Sequence, residues 1–274
     1  MVTVLAVAAL AFVGGIAGFN VVTFVGAFAR APRPRGLLMA FIRELLANFL
    51  IIPAWPLMAL LGARYEARID GEPGQRQRRP VILLHGYLMN RTNWLWLGAW
   101  LARRGIGPLY GLSYLTLVGA ERGAEKLARL VEKVCRLESA DRVDIVAHSL
   151  GGLVARHYIE ELGGGRRVRR LLTIGTPHHG TAWARLAIGS ARHDLSVARA
   201  DARAGSAPPA GVLYTSIWSP CDNLVVPAES ACITARSTSA PTGGVEDLVF
   251  EGLGHLSLLV SPRVASAVAT RLAA

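Results

Sequence analysis

Ser149 stands where a side chain becomes a nucleophile. Residues Val143 to Gly152 read V-D-I-V-A-H-S-L-G-G, a short β-branched run that stops at the serine and passes at once into small residues and a helical pattern. A serine at the tip of a sharp strand-to-helix turn is held in a strained backbone conformation, so the residues two before and two after it must be small. Ala147 and Gly151 meet that need; Ala147, in place of the glycine of G-x-S-x-G, adds one methyl. A serine hydroxyl is a poor nucleophile at neutral pH and needs a base, and the base needs a carboxylate to fix its tautomer and steady its charge. The histidines after Ser149 are His157, His178, His179, His193 and His255, and the aspartates open to the role are Asp194, Asp201, Asp222 and Asp247.

The elements that must hold these groups alternate from Pro80 onward. Apolar runs predict strands over 81–84, 109–114, 142–147, 168–174, 212–218 and 245–250. Helical spacing predicts helices over 94–103, over 121–137, where Leu127, Leu130, Val131 and Val134 recur, over 150–162, and from His255 to the end. This order predicts an α/β chain with a mostly parallel sheet covered by helices on both faces. In such sheets the working residues gather in loops at the carboxyl ends of strands. His85-Gly86-Tyr87, Ser149, Thr176-Pro177-His178-His179-Gly180, Asp222 and His255 each follow one of the runs.

Five pieces in this order, V-I-L-L-H-G-Y, V-A-H-S-L-G-G, I-G-T-P-H-H-G-T, I-W-S-P-C-D-N-L-V-V-P and G-L-G-H-L-S-L, give residues 80–274 a resemblance to the α/β-hydrolase family, and within it to small bacterial lipases and esterases. The family order is Ser, then Asp or Glu, then His. The resemblance therefore implies Ser149 as nucleophile, Asp222 as acid and His255 as base; of the other aspartates, Asp247 falls inside a predicted strand, and Asp194 and Asp201 sit in an arginine-rich segment and read as surface partners. It implies an oxyanion hole from the backbone N–H groups of Tyr87 and Leu150, and support of the site by His85, Gly86, His148, Gly151 and His178. The activity implied is cleavage of carboxylic esters of lipid or other apolar acyl groups, without cofactor or metal. The alternatives are acyl transfer to another alcohol by the same triad, and a non-catalytic binding protein. Thr181 to Ala210 reads as a lid or as a solvated helix.

Composition bounds the rest. The chain has 274 residues, 52% of them apolar, with a net charge of +11 carried almost wholly by arginine, since Lys126 and Lys133 are the only lysines. The arginines are scattered and no nucleic-acid module is present, so nucleic acid is not an expected partner. Val2 to Ala29 holds no charged residue and is long enough to span a bilayer. Residues 1–69 thus read as a membrane-anchoring region with one or two apolar helices, the second over Leu45–Leu61 and broken by Pro53 and Pro56; 70–79 reads as a linker and 80–274 as the catalytic domain. If both apolar runs span, Arg30, Arg33, Arg35 and Arg43 between them place the loop inside and the catalytic domain on the periplasmic side of a bacterial inner membrane. There, Cys221 and Cys232 would be a plausible disulfide bracketing Asp222.

Overall fold

The apolar runs lie side by side in one sheet. A computed structural model describes residues 2–29, 32–53, 68–69, 79–199, 209–236 and 244–274. Its strands are β1 (Arg68–Ile69), β2 (Val81–Leu84), β3 (Leu109–Leu112), β4 (Val143–His148), β5 (Val168–Ile174), β6 (Leu213–Trp218) and β7 (Val245–Val249), in the spatial order β1-β3-β2-β4-β5-β6-β7. Every pairing from β3 to β7 is parallel; the two-residue β1, which no sequence signal marked, runs antiparallel on the outer edge of β3. The chain steps outward from β2 to β3, then crosses back past β2 to β4. That reversal opens a crevice at the carboxyl ends of β2 and β4, where open α/β sheets bind their ligands.

Because successive strand residues face opposite ways, the central strands feed two cores. Ile82, Leu84, Ile145 and Leu171 pack with α4 (Ala120–Glu138) and α5 (Leu150–Glu161). Val81, Leu83, Val146 and Leu172 pack on the other face with α3 (Leu95–Ala102) and α7 (Pro262–Ala273). Leu127, Leu130, Val131 and Val134 are the buried stripe of α4, as their spacing requires. The first N–H of that helix, at Ala120, donates to Asp194 Oδ2 at 2.6 Å. Asp194, expected as a surface partner, is instead buried, because a carboxylate at a helix N-terminus satisfies an orphan donor and meets the positive end of the helix dipole. The last helix also departs from expectation. It starts at Pro262 and not at His255, which leaves His255 in a loop followed by a single 3₁₀ turn, Ser257–Val260.

Two helices precede the sheet. α1 (Val2–Phe28) is about 40 Å long at ~1.5 Å per residue, and its Leu10–Phe28 portion is long and apolar enough to cross a membrane. α2 (Leu37–Ile51) follows. Each buries one stripe: Ile16, Asn20, Thr23, Phe24 and Ala27 on α1; Ala40, Glu44, Ala47, Asn48 and Ile51 on α2. Asn48 donates to Asn20 Oδ1 at 3.3 Å, and Phe24 meets Phe41 edge-on at 5.3 Å between ring centres. Ala47 and Ile51 belong to the same core as α3 and α7. The apolar run over 45–61 therefore begins as a helix packed on the α/β domain; 54–61 and most of the expected linker, 70–78, lie outside the described residues. The expected lid segment contains a 3₁₀ turn, Ala182–Leu186, and the short α6 (Ala191–Asp194), while 200–208 lie outside the described residues. Leu186 and Ile188 are exposed, and the Trp183 indole packs on α1 so closely that a Cβ at Gly26 would stand 2.7 Å from it.

Candidate active site

Ser149 has φ 53° and ψ −127°. That conformation is costly for any residue with a Cβ and persists only where the surroundings impose it. Here they do. Ser149 N–H donates to Ile174 O at 3.0 Å, and Ser149 O accepts from Gly152 N–H at 3.0 Å and from Thr176 Oγ1 at 2.9 Å. The small neighbours are required by contact: a Cβ on Gly151 would lie 2.7 Å from the carbonyl oxygens of both Leu84 and His85, and one on Gly152 would overlap Thr176. Ala147 is fully buried. Amid buried neighbours Ser149 stays half-exposed, so the strand-to-helix turn delivers a reachable hydroxyl.

The candidate base and acid meet. His255 Nδ1 donates to Asp222 Oδ2 at 2.9 Å and lies 3.1 Å from Oδ1, with the two residues 4% and 1% exposed. Asp222 Oδ1 also accepts the N–H groups of Leu224 and Val225 at 2.8 and 2.9 Å, so the turn after β6 aims the carboxylate. Burial alone would lower the His255 pKa. The Asp222 carboxylate, as charge and as acceptor, together with Glu44, outweighs it and holds the group above the ordinary histidine value. With Nδ1 committed to Asp222, Nε2 is the atom free to take a proton. No hydrogen bond joins Ser149 Oγ to His255 among the described residues; in ligand-free sites such contacts are often long and tighten around substrate. Asp247, the alternative acid, is spent on Ile233 N–H, Thr234 N–H and the Thr234 hydroxyl.

Gly86 explains how the loop after β2 closes over the serine, since a Cβ there would stand 2.8 Å from Ser149 Cβ. His85 shapes that loop. Its ring stacks on Tyr114 at 4.4 Å, Nε2 accepts Tyr114 N–H at 3.2 Å, and Nδ1 donates to Gly86 O at 2.9 Å. Burial holds its pKa at about 4, so it stays neutral. Leu150 is the first residue of α5, and its N–H has no acceptor within the helix. Tyr87 ties the same loop to the segment beyond β5, its hydroxyl accepting Ile188 N–H at 2.8 Å.

His148 lies beneath the base, its ring 4.6 Å from that of His255 and its Nε2 donating to His255 O at 3.3 Å. Burial drives its pKa well below the histidine value. His178 is one layer further away, bonded to Thr173 at 2.9 Å and facing Arg156, and burial keeps it neutral as well. The cysteine expectation is corrected. Cys221 and Cys232 are free thiols, because Cys221 Sγ turns to Arg35 O at 3.3 Å and Cys232 Sγ to Thr234 Oγ1 at 3.5 Å.

Thr176, Asn223, Thr23 and Glu44 were given no individual role by the sequence reading. Thr176 grips the serine carbonyl. Asn223 Oδ1 accepts His255 N–H at 3.1 Å while its Nδ2 donates to Thr23 of α1 at 2.8 Å. Glu44 of α2 accepts the N–H groups of Leu256 and Ser257. Glu44 left a signal: with Arg43 it is one of two charged residues between Gly36 and Gly62, and a lone charge in so apolar a stretch needs a buried partner.

A family described as a domain of unknown function (DUF7379) matches residues 114–198. Among solved structures, the chain is similar to a Bacillus licheniformis lipase in mature form, at TM-score 0.62 and 15% identity over 75% of this chain and 95% of that one. It is similar to a Paleococcus ferrophilus monoacylglycerol lipase at 0.57 and 15%, over 76% and 97%. A thermophilic esterase from Thermogutta terrifontis matches at 0.53 and 17%, over 76% and 92%. The chain has the α/β-hydrolase fold.

Proposed function

We propose that this protein is a membrane-anchored serine hydrolase that cleaves carboxylic esters of lipid or other apolar acyl groups. The observation that carries the reading is the buried Asp222–His255 pair, whose imidazole lies 4.6 Å from the ring of His148, the residue before a half-exposed serine held in strained backbone. In this reading Ser149 Oγ attacks the ester carbonyl as His255 Nε2 takes its proton. The N–H groups of Tyr87 and Leu150 hold the oxyanion. The alcohol leaves with the proton from His255, and water, deprotonated by the same imidazole, releases the acid from the acyl-serine. The lipid preference rests on the neighbours named lipases and on an anchor that keeps the site near acyl substrates. The test is a fluorophosphonate probe on the full-length chain, expected to label Ser149 in the wild type and nothing in Ser149→Ala, followed by an ester series of rising acyl length with and without a competing alcohol. A folded protein that takes no label would overturn the reading. An alkyl ester as main product would make it an acyltransferase.

α2 packs on the domain along its length, and we take α1, whose Leu10–Phe28 portion is long and apolar enough to span, as the anchor; Arg33, Arg35, Arg43 and the domain would then lie on one side of the membrane. The positive-inside rule then favours the cytoplasm, and the thiols of Cys221 and Cys232 need no oxidising compartment. Half-exposed Cys232 is accordingly expected to resist a membrane-impermeant maleimide in intact cells and to react after permeabilisation. Reaction in intact cells would return the domain to the periplasmic side.

A further inference from the structure

Glu44 is 1% exposed, and both of its oxygens are engaged by the loop that carries His255. Oε1 accepts Leu256 N–H and Oε2 accepts Ser257 N–H, each at 2.8 Å. On the other side of His255 the chain passes directly over the carboxylate: a Cβ on Gly254 would lie 2.7 Å from Oε2 and 2.8 Å from the Glu44 Cβ. The neighbouring Arg43 donates to Gly252 O at 2.9 Å. Through Thr23 and Asn223, α1 reaches the His255 N–H itself. The base loop is thus held along its length by the two N-terminal helices. Two backbone donors would be satisfied by a neutral acceptor, whereas a carboxylate buried here is expensive to ionise; the presence of an ionisable group calls for a role.

We propose that Glu44 is a positioning residue for the hydrolase reaction, its carboxylate fixing the His255 loop and serving, with Asp222, as a second anionic group that favours the imidazolium formed during acyl transfer. The inference rests on the triad reading. The ionisable groups facing this cluster are His255 and Asp222 on the loops, His148 beneath the imidazole, and Arg43, whose guanidinium is turned to the Gly252 carbonyl. Burial lifts the Glu44 pKa to about 7 against the lowering effect of its two N–H donors and of His255, and Asp222 raises it further. On His255, burial lowers the pKa while Asp222 and then Glu44 raise it. The sign follows. With its pKa at about 7, Glu44 carries its charge at and above neutral pH; removing that charge lowers the His255 pKa there, and since catalysis needs a neutral imidazole, the acid limb of kcat/KM moves to lower pH. At the same time kcat falls, because the imidazolium loses a partner and the loop loses an acceptor.

The experiment compares full-length wild type, E44Q, E44D and Ser149→Ala in detergent micelles with a chromogenic butyrate ester. E44Q is expected to lower kcat about 10- to 100-fold, a part of the ~10² to 10⁴ that general acid–base transfer supplies. Its KM should stay within about twofold and its acid limb should shift to lower pH. E44D keeps the charge on a shorter arm, so its acid limb should stay at the wild-type position with kcat between the two. An E44Q enzyme with wild-type kcat and pH profile overturns the inference, as does a kcat loss with the acid limb unmoved, which would mark a merely structural contact. Should E44Q fail to fold, E44D decides: reduced kcat with the acid limb in place supports the role, and unchanged kcat overturns it. Activity surviving in Ser149→Ala sinks the triad reading itself, whereas a dead Ser149→Ala beside a wild-type E44Q removes the Glu44 role alone.

Discussion

Ser149→Ala and His255→Ala are each expected to lower kcat by ~10⁴ to 10⁶, and their double mutant to lose little more than either alone, because nucleophile and base act as one unit. The geometry behind this is the strained turn at Ser149 and the commitment of His255 Nδ1 to Asp222, which leaves Nε2 as the proton acceptor. Ester turnover in all four variants, with folding checked by thermal melting, decides the matter. Losses that add on the logarithmic scale would mean that the two residues do not share a proton-transfer path.

The second large effect belongs to the acid. Asp222→Asn should cost about 10² to 10⁴ in kcat, since an amide can present its N–H₂ to Nδ1 and favour the tautomer whose Nε2 already carries a proton. Asp222 also accepts from Leu224 and Val225, so part of the loss will come from the turn after β6. Asp247→Asn is the matched control. It removes a carboxylate bonded to Ile233 and Thr234, away from the imidazole, and is expected to change stability more than kcat. If the ranking of the two in kcat were reversed, the acid would have to be reassigned to Asp247.

The parts of this site that the sequence announced are those whose physical cause is local. A serine at φ 53° needs small residues two positions away on either side, so Ala147 and Gly151 mark it within five letters. β2, covered on both faces, shows as the unbroken apolar run Val81–Leu84, while β4 and β5 remain legible through their β-branched and apolar majority despite Asp144, Arg169 and Arg170. Asp222 and His255 were legible one step less directly, through their order along the chain and their place after strands. Where cause and effect lie far apart the reading failed. Glu44 and Leu256 are separated by 212 positions, and Thr23 and Asn223 by 200; the charge of Glu44 calls for some buried partner, but nothing near either residue tells that the partner is the His255 loop. Asp194 was misjudged for a similar reason, its partner being the first N–H of a helix 74 positions earlier. Cys221 and Cys232 were paired because they lie close in sequence, but nearness along a chain does not set the direction of a thiol.

α2 has Glu44 on one side and Leu38, Met39, Ile42, Leu46 and Leu50 exposed on the other. A helix with its side chains is only ~10 Å across. On the anchoring proposed for α1, hydrocarbon would thus lie one helix diameter from the loop that carries the base. The solubilising medium then becomes part of the enzyme: a detergent or lipid that tilts or slides α2 would disturb the imidazole directly. Differences between amphiphiles would appear in kcat as well as in substrate delivery, and a rate measured in one micelle would not carry over to another.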